Sequence, residues 1–263
     1  MKKYIGISIV FAIMMMTACD QGAENIKTTD IEIISIHDLK LKPGVDEKEF
    51  ETFVMGEIAP LYKQMNGQDF FLGKGYVGQR TGQYSIFLTF KTLEDRNNIY
   101  PPSGGFSDEY NKVMEGHEAW WDEFQTMAEG FDGIVVTDYL TENKISADFE
   151  MICIHDLELK PGVDEKEFET FVMTEIAPLY RQMKGQDFTL GKGYVGQRTG
   201  KYSIIITFES VDDRNRIYPL DTGFSDEFHK VMEGKEAMWE KFRSMAEGFD
   251  GLTVTDYLKV GNK

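Results

Sequence analysis

Residues 31–42, IEIISIHDLKLK, are β-branched and roughly alternating, the pattern of a strand, and Pro43-Gly44 ends it. Beyond the turn, Asp46 and Glu49 form a helix cap pair, and Phe50, Phe53, Val54, Ile58, Leu61, Tyr62 and Met65 recur at spacings of three and four. This spacing predicts an amphipathic helix, bent at Pro60 because proline supplies no N–H. Two more alternating runs, 70–79 and 83–90, flank Arg80-Thr81-Gly82 and predict a hairpin. A short helix over 92–100 and the breaker PPSGG come next, then a longer helix capped by Ser107 and reaching residue 129. A strand over 133–140 closes the series.

The series is then written again. Residues 36–140 and 154–258 align at a constant offset of 118 without a gap, with 79 identities over 105 positions. Strand, helix, strand, strand, helix, strand is the split βαβ arrangement of ferredoxin-like domains, with helices on one side of an antiparallel sheet. The fold class expected is therefore α+β, as two tandem ferredoxin-like repeats. The bare sheet face of each copy needs a cover, and the twin copy is the nearest one. A pseudo-twofold interface between them is the candidate site. The expected boundaries are 1–18 signal peptide, 19–30 polar tether, 31–141 first repeat, 142–148 linker and 149–259 second repeat.

Strand alternation assigns the two faces. Ile34, Ile36, Tyr84, Ile86, Leu88, Phe90, Ile134 and Val136 make an aliphatic face, expected under the helices. The opposite face carries Ser35, His37, Leu39, Gln83, Ser85, Phe87, Thr89, Val135, Thr137 and Tyr139, matched in the second copy by Cys153, His155, Ser203, Ile205, Thr207, Thr253, Thr255 and Tyr257. Hydroxyls and imidazoles among aromatics suit a partly polar cavity between two facing sheets.

The first 21 residues, MKKYIGISIVFAIMMMTACDQ, have two lysines before an apolar run too short to span a bilayer as a helix, as in an export signal. Met16-Thr17-Ala18-Cys19 resembles the bacterial lipobox, with Met16 where leucine is usual, and implies lipidation of Cys19. A membrane-anchored lipoprotein of the bacterial cell envelope, periplasmic or on the outer surface, is expected. Removing residues 1–18 with Lys2 and Lys3 shifts the net charge from −17 to −19. So acidic a chain disfavours nucleic acid and unaided membrane binding, leaving the N-terminal lipid as the membrane attachment. Cys153 is then the last thiol, and Ser35 stands at its equivalent position, so no intrachain disulfide forms. At 41% hydrophobic and 13% aromatic residues, there is apolar surface for two cores of about 110 residues each.

At IHDLKLKPGVDEKEFETF, and again at IHDLELKPGVDEKEFETF, a strand ending in Leu-Lys-Pro-Gly before a capped helix resembles the dimeric α+β barrel superfamily, in its antibiotic-biosynthesis-monooxygenase-like and NIPSNAP-like members. The resemblance covers nearly the whole chain after the signal. It implies a fused dimer, the two tandem ferredoxin-like repeats forming an intrachain dimeric α+β barrel with a pocket in each half. Members include cofactor-free oxygenases, haem-degrading enzymes, cyclases and proteins with no known reaction, so fold alone does not choose an activity.

His37 and His155 are candidate general bases or metal ligands at equivalent strand positions. Asp38 and Asp156 follow them but point to the opposite face, so they cannot orient the same-strand imidazole. His117 falls near the centre of the stripe Tyr110, Val113, Met114, Trp120, Trp121, Phe124 and Met127 when the helix is projected at about 100° per residue. Haem-degrading members resemble the run from Ser107 in presenting an axial histidine seven residues on, where this chain has Met114 and Met232. No cofactor is therefore expected, with haem as the alternative, and no metal. Gly73-Lys74-Gly75-Tyr76-Val77-Gly78 and its twin match a dinucleotide pattern by letter, but a strand rather than a helix follows, so the glycines are read as admitting close backbone approach at a bulge. Arg80 and Arg198 could hold a carboxylate.

Three functions remain open. The first is binding of a small, partly apolar ligand lined by Ser35, Phe87, Tyr139 and Trp121, with Cys153, Ile205, Tyr257 and Trp239 in the other half, the chain being a monomer. The second is a monooxygenase, cofactor-free or haem-degrading, using His37, His155 or His117. The third is an envelope scaffold, which predicts a filled barrel and an exposed apolar patch. Exchanges between the copies, His117 against Lys235, Asn111 against His229 and Trp120 against Met238, suggest that one half alone keeps chemistry.

Overall fold

In the computed structural model, residues 30–131, 136–221, 223–249 and 254–261 are described. The signal, Cys19 and most of the tether lie outside them, as do Ile134, Val135 and Thr253. Strands β1 (Asp30–Asp38), β2 (Lys40–Leu41), β3 (Gln68–Gly78), β4 (Tyr84–Phe90), β5 (Ala128–Glu129) and β6 (Val136–Ser146) come from the first half. Those of the second are β7 (Met151–Leu159), β8 (Gln186–Gly196), β9 (Tyr202–Phe208), β10 (Ala246–Glu247) and β11 (Val254–Lys259). The main sheet runs β7-β11-β3-β4-β1-β6-β8-β9, and β9 pairs back onto β7, closing an antiparallel barrel. Each half supplies four adjacent strands. The seams are β6 on β8 and β11 on β3, each with one bulge, so the halves join edge to edge.

Among the described residues the helices lie on the outer surface. Helix α1 (Glu47–Phe53) is capped by Asp46, which accepts from the Glu49 N–H at 2.9 Å. It continues through a π-helical turn, Val54–Ile58, into α2 (Ala59–Tyr62). The expected bend at Pro60 is replaced by this wider turn. Proline cannot donate to the carbonyl four residues back, and a register in which Ala59 N–H bonds Val54 O accommodates the ring. Helix α3 (Leu93–Ile99) follows the hairpin as predicted. The long helix expected from Ser107 is instead two, α4 (Asp108–Met114) and α5 (Ala119–Met127), parted at Glu115 and Gly116, whose φ of +79° favours glycine. The second half repeats the pattern with α6 (Glu165–Phe171), α7 (Ala177–Tyr180), α8 (Val211–Ile217), α9 (Asp226–Met232) and α10 (Glu236–Met245). Strand β6 runs on to Ser146, into the stretch expected to be a linker.

Two apolar clusters fill the space between helices and sheet, one in each half, and a third fills the barrel. That third cluster takes residues from both halves: Phe71, Phe87 and Tyr139 meet Ile152, Ile154, Ile205 and Tyr257. Phe71 and Phe87 stack at 4.5 Å and 7°. An eight-stranded barrel is just wide enough for its own side chains, so the expected cavity between facing sheets is filled instead. A polar space of about 200 Å³ remains at one end, where Arg80 meets Asp38 at 3.2 Å and Arg198 meets Asp156 at 3.0 Å.

The face assignment holds for β4, whose Tyr84, Ile86, Leu88 and Phe90 pack under the helices, and is reversed for β1. There Ile36 pairs with Phe87 on the barrel side, while Ser35 and His37, opposite Leu88 and Ile86, face the helices. The sheet is buried on both sides and β4 is buried at every position, so hydrophobicity alone does not tell the faces of β1 apart.

Candidate functional site

The reversal of β1 moves Ser35 and His37 out of the barrel and into a pocket of about 650 Å³ between the sheet and the helices. Its floor is the outer face of β1, β4 and β6, and its walls are Tyr62, Tyr100, Phe106, Tyr110, Trp120, Trp121 and Phe131. A pocket of about 810 Å³ lies at the equivalent place in the other half, around Cys153, His155, Tyr180, Tyr218, Phe224, Trp239 and Phe249.

A chain of buried polar groups crosses the first floor. Ser35 Oγ donates to Asp138 Oδ1 at 2.6 Å and lies 3.1 Å from His37 Nε2. With the serine proton committed to the carboxylate, the imidazole donates from Nε2. Arg96 Nε and Nη2 both reach Asp138 Oδ2 at 2.7 Å, and Nη1 donates to the Tyr100 carbonyl at 2.6 Å. The side chains of this ion pair are 10% and 7% exposed. His37 also meets the Phe131 ring edge-on at 4.8 Å. In the second half Arg214 bonds Asp256 at 2.6 Å and Cys153 Sγ replaces the serine oxygen, 3.1 Å from His155 Nε2.

Each half completes the other's pocket. The Arg96 guanidinium lies 5.8 Å from the Tyr100 ring and 5.9 Å from that of Tyr194, which β8 brings across the seam, and Val195 reaches the same pocket. Tyr76 and Val77 do the same for Arg214 and its pocket.

Burial favours the uncharged form of the pocket phenols and thiol. It pushes the phenols of Tyr62, Tyr100, Tyr180 and Tyr218 above their ordinary range. Burial, and then the nearby Asp256 carboxylate, pushes the Cys153 thiol well up, so it serves as an S–H rather than as a thiolate nucleophile.

The candidate residues thus fall into separate places. Ser35, His37 and Trp121 line one pocket, and Cys153, His155 and Trp239 line the other. Phe87, Tyr139, Ile205 and Tyr257 are in the barrel core, away from both. His117 is exposed at the break between α4 and α5, in a surface groove with Asp46, Glu49 and Glu57; the broken helix resets the phase that had placed it in the apolar stripe. Met114 lines the first pocket. Arg96, Asp138, Tyr62, Tyr100 and Phe131, with their counterparts, were not singled out in the sequence. The strand V-T-D-Y-L held a signal: Asp138 sits on its helix-facing side between Val136 and Leu140, and Asp256 repeats it. The glycines of 73–78 are structural, since a Cβ on Gly75 would sit 2.0 Å from the Arg80 carbonyl oxygen.

No family model matches the chain and no curated protein matches it. Solved structures do. A candidate monooxygenase of Lactobacillus acidophilus NCFM superposes with a TM-score of 0.51 at 12% identity, covering 88% of this chain and 94% of its own. The fold is that of the dimeric α+β barrels. A candidate monooxygenase of Fusobacterium nucleatum subsp. nucleatum gives 0.52 at 12%, with 88% and 93% covered, and a candidate chlorite dismutase 0.51 at 8%, with 88% and 95%. At such identities the likeness is one of fold.

Proposed function

We propose that this chain, built from two copies of one ferredoxin-like unit, binds small, flat, largely apolar molecules in the two pockets outside its barrel. The observation that carries this reading is an aromatic pocket in each half with a histidine beside a buried hydroxyl or thiol, carboxylate and guanidinium across its floor. Rings supply stacking area, and the polar floor orients a ligand hydroxyl or carbonyl. The filled barrel agrees with the scaffold reading, but Phe106 and Phe224, two of the exposed large apolar residues, belong to pocket walls. Titration with the neutral dye N-phenyl-1-naphthylamine tests the proposal. About two dyes bind per chain and quench Trp121 and Trp239 if it is right; no saturable binding refutes it.

A second reading, oxygenation of the bound molecule, is supported by the imidazole in each pocket and by the barrel shared with two candidate monooxygenases. The histidine would take a proton from an activated methylene, which O2 converts to a carbonyl with water as the second product. Oxygen uptake on adding an activated-methylene aromatic, lost in His37→Ala/His155→Ala, tests it. In the first pocket haem fits less well. His117 lies outside the pocket, Met114 is a weak ligand, and carboxylates at the first mouth oppose propionates.

We also propose that the chain is attached to the bacterial envelope through a lipid on Cys19. Among the described residues no helix is long and apolar enough to cross a membrane. Cys19→Ser releasing the protein from the membrane fraction is the expected result; retention of the variant refutes the anchor.

A further inference from the structure

The floors of the two pockets match, but the charged residues lining their mouths differ, although Glu236 and Glu240 hold in the second half the sequence positions of Glu118 and Asp122. Glu118 and Asp122 line the first, and among the described residues neither forms a salt bridge with lysine or arginine, though His117 acts on the Glu118 carboxylate. Glu118 instead accepts from the Gly116 N–H at 3.1 Å. The second mouth is lined by Lys160, Arg243 and Glu247. Lys160 stands 4.0 Å from Glu247, while Arg243 is exposed and has no partner among the described residues. Gln125 occupies the position of Arg243 in the first half, and Lys42, in that of Lys160, is turned away to the Gln125 carbonyl.

A ligand ring that enters either pocket leaves its outward substituent at these groups. We infer that the pockets select ligands of opposite charge: the one at His155 takes flat molecules bearing a carboxylate or sulfonate, held at the mouth by Arg243 and Lys160, and the one at His37 takes neutral or cationic ones. This rests on the binding reading above. Guanidinium is suited to the task, because it presents several donors to a planar anion and stays charged. The two carboxylates at the other mouth, neither in a salt bridge with lysine or arginine, repel the same anion, and exclusion contributes to selectivity beside attraction.

Two dyes separate the possibilities: 1-anilinonaphthalene-8-sulfonate and N-phenyl-1-naphthylamine share a ring system and differ by the sulfonate. In the full chain at low ionic strength, the neutral dye should fill both pockets and the sulfonate dye one, quenching Trp239. Arg243→Gln should weaken the sulfonate dye about tenfold, the size expected for one charge-assisted contact, and the neutral dye by far less. Gln125→Arg with Asp122→Asn should create a second sulfonate site. Raising salt to about 0.5 M should reduce the preference, since these mouths are open to solvent. The inference is overturned if the sulfonate dye fills two equal sites, or if Arg243→Gln leaves its affinity within about twofold. Both results leave the binding reading standing when the neutral dye still binds; binding of neither dye ends both.

Discussion

Asp138→Asn is the sharpest test of the polar floor. The carboxylate accepts from Ser35 Oγ at 2.6 Å and from Arg96 Nε and Nη2 at 2.7 Å, with its side chain 7% exposed. Asparagine keeps the shape but removes the charge and turns an NH2 towards a donor, leaving the Arg96 guanidinium uncompensated at 10% exposure. Removing one partner of a buried pair costs about 3–5 kcal/mol. Arg96 keeps its bond to the Tyr100 carbonyl and its two tyrosine faces, so the lower end, about 3 kcal/mol, is expected. Urea unfolding followed by circular dichroism measures it, with the slope checked against the parent to confirm one transition. Arg96→Met should cost a similar amount, and the double variant with Asp138→Leu much less than the sum, because no orphaned charge remains. Asp256→Asn should match Asp138→Asn, its pair being 9% and 7% exposed. A cost below about 1 kcal/mol, the range of exposed pairs, with additive double variants would refute the reasoning.

Phe87→Ala should destabilise by about 3–5 kcal/mol, since the ring is fully buried against Phe71 and Tyr257, yet leave dye affinity unchanged in protein that remains folded; a lost dye site would return the ligand to the barrel. His117→Ala, at an exposed break, should alter neither dye binding nor oxygen uptake. Gly75→Ala should cost about 2–3 kcal/mol, because the new carbon meets the Arg80 carbonyl oxygen, whereas Gly56→Ala, with open space, should gain about 0.5–1 kcal/mol, both read from urea midpoints. At alkaline pH, burial holds Tyr62, Tyr100 and Tyr218 above the ordinary phenol value, and Tyr257 at about 12. A raised folded value means the stabilisation is complete below about pH 10 and is lost as pH rises through the folded values. Absorbance at 295 nm should show these phenols ionising together with unfolding; ionisation near pH 10 with the fold intact would contradict this.

Much of the fold was legible because it rests on local chemistry. Asp46 and Ser107 cap the helices they were expected to cap, and the hairpin around Arg80-Thr81-Gly82 joins β3 to β4. The π-helical turn before Pro60 and the break at Gly116 were not legible, since proline and glycine permit several local solutions and packing selects one. The candidate site was half legible: Ser35, His37 and Trp121 do share a pocket, but their expected neighbours Phe87 and Tyr139 do not.

From the sequence alone follow the order of elements, the equivalence of the two halves at an offset of 118 and the acidic character of the whole. Each depends on residues near one another in the chain, or on composition. Which face of β1 meets the helices, where the empty space lies, and the pairing of Arg96 with Asp138 and with Tyr194 depend on strands far apart in sequence. A sheet buried on both sides gives the same hydrophobic pattern for either facing of β1. Only closure of the barrel, which fills its own interior, assigned the histidines to the outer pockets.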